Sequence, residues 1–283
     1  MGDSQAIPYT QALAPLTRCR TMDYAHLKVA RDGPVATVTF NRPHKANALN
    51  FEILAELEQV ALSFSEDIDT RVVIFTGAGK HFSSGFDLTD PNTEFSGPLL
   101  LRRRRNRIGA QAITALYNMD QITIAAWNGA AMGGGACIPT ALDFRIGTTS
   151  CVMRYPEVDL GMNLMWHSLP LCVHLVGPAR AKRLVVGGEL VAAPTLLDWG
   201  VLDEVVAEDQ LIPRAQEFAA FYAAKPPIAA QMIKRSINRI AGALDQSIMD
   251  MDADQNLLTR STDDMAEAVR AYLAKEEPIF KGD

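Results

Sequence analysis

Cysteine is scarce: four residues in 283, at positions 19, 137, 151 and 172, with no close pair of the kind that binds zinc or cycles a disulfide. That usage excludes a disulfide scaffold and fits reduced, mostly buried thiols in the cytoplasm or another reducing compartment. The five histidines form no metal constellation either; His26, His44, His81 and His174 are scattered, and no bound metal is expected. No uninterrupted apolar run reaches the ~18 residues of a membrane span, and the N-terminus "MGDSQAIPYTQALAPLTRCR" lacks the charged-then-apolar order of a secretion signal. Net positive charge is missing as well. A formal charge of -6 excludes a general attraction to nucleic acid or to anionic membranes.

What is present is enough apolar sequence, 48% of residues, to bury a large core in one domain. The runs "VATVTF" (35–40), "RVVIF" (71–75) and "ITIAAW" (122–127) are rich in β-branched residues and end in turn formers, which predicts buried strands. Between the first two, Phe51, Leu54, Leu57, Ala61 and Phe64 recur at three- and four-residue steps, the pattern of a helix with one apolar face. After about residue 178 the periodicity becomes helical, with segments expected over 209–224, 227–241 and 246–259 and a last one ending near Lys275. An α/β core followed by a helical region is therefore expected, the helices packing on the core or on another subunit. Residues 1–24 read as a loose arm.

The stretch "AAMGGGACIP" (130–139) sets three glycines at a strand-to-helix junction. Glycine lets backbone approach a ligand closely, and a helix start presents unpaired N–H groups with partial positive charge. The site suits either stabilisation of a developing negative charge or a tight turn that needs small residues. "TGAGKHFSSG" also follows a strand, yet Ile74 stands where a phosphate loop needs its first glycine and His81 where it needs Ser or Thr. No Gly-x-Ser-x-Gly surrounds Ser83 or Ser84, so a serine-hydrolase elbow is unsupported.

Six stretches in order, "FNRPHKANALN", "VVIFTGAGKHFSSGFDL", "AAWNGAAMGGGA", "RYPEVDLG", "ARAKRLVVGGELVAA" and "EEPIFKGD", make the chain resemble the crotonase superfamily, the enoyl-CoA hydratase/isomerase family, from about Leu27 onward. The resemblance implies a crotonase-like spiral of repeated ββα units over 25–205 and a C-terminal helical region over 206–283 that builds homotrimers, often paired into hexamers. It implies an acyl-CoA thioester as substrate and no cofactor beyond the coenzyme A that the substrate carries. It also implies that two peptide N–H groups, of Phe86 and Gly134, hold the thioester oxygen, with Ser84, Gly85 and Gly133 in the turns that touch substrate. Such preorganised donors favour an enolate, and losing one comparable donor costs roughly 10²–10³ in turnover.

Hydratases of this family use two glutamates. The second falls on Glu157, in "RYPEVDLG"; the first falls on Cys137, at the family's spacing. A carboxyl group near an apolar acyl chain exchanges protons near neutrality, so Glu157 is the expected proton carrier. One carboxylate suffices to move a proton between α- and γ-carbons, as in the family's Δ3,Δ2-enoyl-CoA isomerases, whereas hydration must also activate water. Cys137 has three readings: a small buried hydrophobe, a weak polar contact in the pocket, or a nucleophile of lowered pKa at a helix start.

In "LGMNLMWHSLPL" (160–171) the bulky Met165, Trp166 and His167 replace a glycine-rich loop of many relatives. Trp166 is read as a pocket wall. His167 either takes over the missing acid or base or packs structurally. Family position makes Lys45 a candidate for coenzyme A, and Phe280 and Lys281 candidates for its adenine end. Arg102, Arg103, Arg104 and Arg105 are spread around a helix rather than along one face, as surface or intersubunit groups or as phosphate contacts. Asp87 and Asp143 read as structural. A hydratase- or isomerase-like enzyme is thus the leading expectation, with two alternatives: a crotonase-like C–C hydrolase of a β-dicarbonyl or ring-derived substrate, and a non-catalytic acyl-CoA binding protein.

Overall fold

The computed structural model describes residues 23–90 and 97–283; the expected arm, apart from its last two residues, and Cys19 lie outside them. Six strands form the main sheet: β1 (Leu27–Asp32), β2 (Val35–Phe40), β3 (Val72–Gly77), β4 (Ile122–Trp127), β6 (Phe144–Thr148) and β9 (Glu204–Val206), in that spatial order. β1 is antiparallel to β2 and every later pair is parallel. A smaller sheet joins β5 (Ala130–Met132), β7 (Val152–Arg154) and β8 (Val191–Ala192). Each turn of chain puts one strand in each sheet and then a helix: β4, β5 and α4 (Gly134–Ala141), then β6, β7 and α5 (Ser168–Val185). This is the ββα spiral that the resemblance implies.

Both faces of the central strands β3 and β4 are buried, which explains why they read as continuous apolar runs, whereas the edge strand β1 is mostly exposed. Along β3, Val73 and Phe75 enter the larger core, with α1 (Phe51–Ser63) and α3 (Ile108–Tyr117). Val72 and Ile74 face the other way, onto Leu211, Ala215, Ala219 and Ala223 of α7 (Leu211–Ala223). Those α7 residues recur every four positions, the spacing of one helix face. The start of α1 is capped by Asn50, whose side chain accepts from the Ile53 amide at 3.0 Å.

The remaining elements are α2 (Leu99–Arg105), α6 (Ala193–Asp198), α8 (Pro227–Ala241), α9 (Gln246–Thr259) and α10 (Asp263–Ala274). Buried Lys234 fastens α8 to the sheet, pairing with Asp143 at 2.7 Å and donating to the Gln121 carbonyl at 2.6 Å. Asp143 also accepts from the Thr123 amide and hydroxyl, so it is structural.

Candidate active site

The two glycine turns meet because the segment after β3 is paired on both sides. Ser83 bridges Ala131 of β5, through its own amide to Ala130 and the Met132 amide to Ser83. Three residues on, Phe86 bridges Leu49: the Gly85 carbonyl accepts from Leu49 N–H and Asp87 N–H donates to the Leu49 carbonyl. In that pairing the N–H of Phe86 points away from Leu49. Gly85 has φ +90°, and a Cβ there would fall 2.5 Å from the Met132 carbonyl and 3.7 Å from the Gly134 nitrogen. Only glycine allows this approach. Gly134 opens α4, so its N–H has no partner four residues back.

Glu157 stands beside these turns. A Cβ on Gly133, itself at φ +49°, would lie 2.8 Å from Glu157 Oε1. Part of the residue faces the cavity, but Oε2 is shielded and without a hydrogen-bond partner. Burial pushes its carboxyl up to about 7. The acid is thus poised between its two protonation states at neutral pH.

These groups line a cavity of about 970 Å³ that also carries Lys45, Ser84, Gly85, Gly133, Trp166 and Phe280. At its mouth Lys45 Nζ donates to Thr89 Oγ1 at 3.0 Å. Asp87 is held by Arg42 at 3.2 Å and by Thr89, which makes it a support for the turn. Arg105 reaches the cavity, whereas Arg103 turns to Asp254 of α9 at 2.7 Å; the arginine row does divide around its helix.

Three expected site residues are not brought to this cavity. Cys137 is sealed inside α4, 1% exposed, near Cys172 and Tyr155. Burial, then the neighbouring Glu157 charge, pushes its thiol well above the ordinary value, which corrects the nucleophile reading. The ring of His167 hydrogen-bonds Thr114 of α3 at 2.9 Å and lines cavities on the far side, of about 740 and 730 Å³. It does not stand beside Glu157 in place of the acid missing at position 137. Lys281 contributes its amide to Asp264 at 2.7 Å and is absent from the cavity wall.

Trp166 is 7% exposed and lies edge-on to Phe86, ring centres 6.2 Å apart. Its indole is pressed between Gly109 of α3 and Gly134, where any Cβ would intrude into the ring. Trp166 and His167 are both left-handed, φ 65° and 60°, at a cost on the order of 1–3 kcal/mol each. The His167 amide donates to Asp252 of α9 at 2.6 Å. Sequence reasoning missed Gly109 and Asp252. A glycine inside a helix costs about 1 kcal/mol against alanine and signals close packing. Asp252 sits on the buried stripe Met249, Asp252, Ala253 and Asn256, where a carboxylate is out of place.

Residues 30–283 match the family described as Enoyl-CoA hydratase/isomerase. The chain belongs to that family. It is 29% identical over 257 residues to the short-chain-enoyl-CoA hydratase of Clostridium acetobutylicum, covering 90% of this chain and 97% of the relative. It is 30% identical over 249 residues to the 1,2-epoxyphenylacetyl-CoA isomerase of Escherichia coli K12, with 88% and 95% covered. The fold matches the crystal structure of an enoyl-CoA hydratase from Mycobacterium avium subsp. paratuberculosis, at TM-score 0.82, 21% identity and 92% and 100% coverage. A crotonase-fold, acyl-CoA-processing enzyme of the hydratase/isomerase family is therefore what these residues build. No helix among the described residues is long and apolar enough to cross a membrane.

Proposed function

We propose that this family member shifts the double bond of an enoyl-CoA thioester, with Glu157 as the single proton carrier and the amides of Phe86 and Gly134 as oxyanion donors. Glu157 takes the proton at the α-carbon; the C–H electron pair enters a dienolate whose charge rests on the thioester oxygen. The same carboxyl group then returns the proton to the γ-carbon, and the double bond moves with no change in mass.

One observation carries this reading: among the described residues of the cavity wall, the other acids are neutralised. Asp87 pairs with Arg42, Asp159 with Arg154 at 2.6 Å, and Glu276 with Arg270 at 2.6 Å. Glu157 alone stands at the glycine turns with its carboxyl near neutrality, and Cys137 supplies no second acid for water. The C–C hydrolase alternative loses the motive it drew from His167, whose ring faces away. A purely binding role leaves the tuning of Glu157 without a purpose.

Lys45 and Phe280, at the cavity wall, are the groups this reading gives to coenzyme A; Lys281, outside it, would reach coenzyme A only beyond the wall. No other cofactor is required. The exposed Ile228, Met232, Ile233, Ile237 and Ile240 of α8 support a trimer or a dimer of trimers, and the buried free thiols Cys137, Cys151 and Cys172 suit a reducing compartment such as the cytoplasm. Incubation with 3-enoyl- and 2-enoyl-CoA followed by mass spectrometry tests the reaction. Isomerisation turns a 3-enoyl ester into the chromatographically separable 2-enoyl ester at unchanged mass; gain of one water from the 2-enoyl ester marks a hydratase and overturns the single-carboxylate reading.

A further inference from the structure

We infer that Trp166 is the specificity-determining partition of this enzyme, closing the acyl end of the active-site cavity so that short acyl groups are preferred. The inference rests on the acyl-CoA reading above and deepens it. Three elements each pass from the active-site cavity to the neighbouring 740 Å³ cavity within a few residues. In the segment before α5, Trp166 lines the first and His167 the second; on α3, Ile108 lines the first and Ala110 the second; on α9, Asn256 lines the first and Ala253 the second. The two spaces therefore share one thin wall, and the indole is its bulkiest part.

The wall is built for that ring. Gly109 and Gly134 have no side chain where the indole lies, and Gly134 is also the oxyanion residue. A thioester carbonyl held there starts its acyl chain against Trp166. Beyond the ring, Ala110, Ala115, Met119, Met249 and Ala253 give the second cavity an apolar strip that an acyl chain could follow, with charged groups such as Glu58, Arg107 and Asp120 elsewhere on its wall. The His167 amide on Asp252 and the His167 ring on Thr114 hold the left-handed backbone that sends Trp166 and His167 to opposite sides. The Asp252 clasp thus makes that residue a positioning residue for the partition.

The test is a chain-length profile of kcat/KM for straight-chain enoyl-CoA esters, from butenoyl to dodecenoyl, with wild type, Trp166→Ala and the double variant Trp166→Ala with Thr114→Phe. Wild type should fall steeply as the chain lengthens. In Trp166→Ala the ratio of long-chain to short-chain kcat/KM should rise by about fourfold for each methylene that enters, the equivalent of ~0.8 kcal/mol per buried CH₂. Thr114→Phe, which fills the second cavity, should cancel that rise. A flat wild-type profile, or an unchanged profile in a Trp166→Ala protein with native circular dichroism, overturns the partition. If Trp166→Ala does not fold, Trp166→Phe should shift the limit by one or two methylenes, and no shift overturns it. Wild-type turnover of the butenoyl ester tests the acyl-CoA reading separately.

Discussion

Glu157 and Asp252 are both shielded carboxylates with one oxygen left without a hydrogen-bond partner, and burial raises both above their ordinary range. They nonetheless do different work. Glu157 stands against Gly133 at the edge of the reaction cavity. Asp252 faces the second cavity and accepts a backbone amide from a strained loop. On the proposed reading, burial alone does not mark a catalytic acid; closeness to amides that can stabilise the charge left behind does.

That contrast can be broken at its stronger end first. Glu157→Gln keeps the shape and removes the proton carrier, so kcat should fall by roughly 10²–10⁴-fold with little change in KM, measured with the preferred ester. A loss below tenfold would place the chemistry elsewhere. In wild type, kcat/KM should rise with pH and level off above an inflection near pH 7, where Glu157 becomes the base; Glu157→Gln should abolish that inflection.

The same residue sharpens the contrast through stability. An acid held at about 7 in the fold and near its usual 4.5 when unfolded keeps its proton longer when folded. The cost to stability is absent below pH 4.5, grows between the two values and is complete above pH 7, reaching about 3 kcal/mol at most. Glu157→Gln should therefore raise the melting temperature at pH 8 and leave it unchanged at pH 4. Asp252→Ala is the smaller effect: the His167 amide loses its acceptor, for about 1–3 kcal/mol. Its melting temperature should drop and its KM rise more than its kcat falls, with Asp252→Asn restoring most of both. A fall in kcat as deep as that of Glu157→Gln would erase the distinction between the two carboxylates.

Much of the architecture was legible in advance. "VATVTF" is β2 and "ITIAAW" is β4, residue for residue: β4 is buried on both faces and β2 fully on one and partly on the other, and both are rich in apolar, β-branched side chains. The helices expected over 227–241 and 246–259 are α8 and α9 as bounded. The strands β5, β7 and β8, of two or three residues, carry no periodicity of their own; stacking beside the main sheet makes them strands. In the site, the turns at Gly85 and Gly133 and the acid at 157 were readable, since each role needs one residue type at one place. The choice between the two readings of His167 was not legible, because a left-handed turn at 166–167 reverses the side a side chain takes, and no local pattern announces it; the ring's bond to Thr114 fits the structural one.

The amino-acid order by itself determined where backbone could come bare to a ligand, because glycine holds that freedom in any surroundings, and it put a carboxyl group at position 157; burial in the fold is what brings that carboxyl near neutrality. Only the tertiary structure decided that Cys137 is sealed, that His167 faces α3 and that Trp166 stands between two cavities. Those outcomes depend on which surfaces of α3, α4 and α9 press against the segment around Trp166 and His167, and contacts between segments distant in the chain leave no trace in either segment alone.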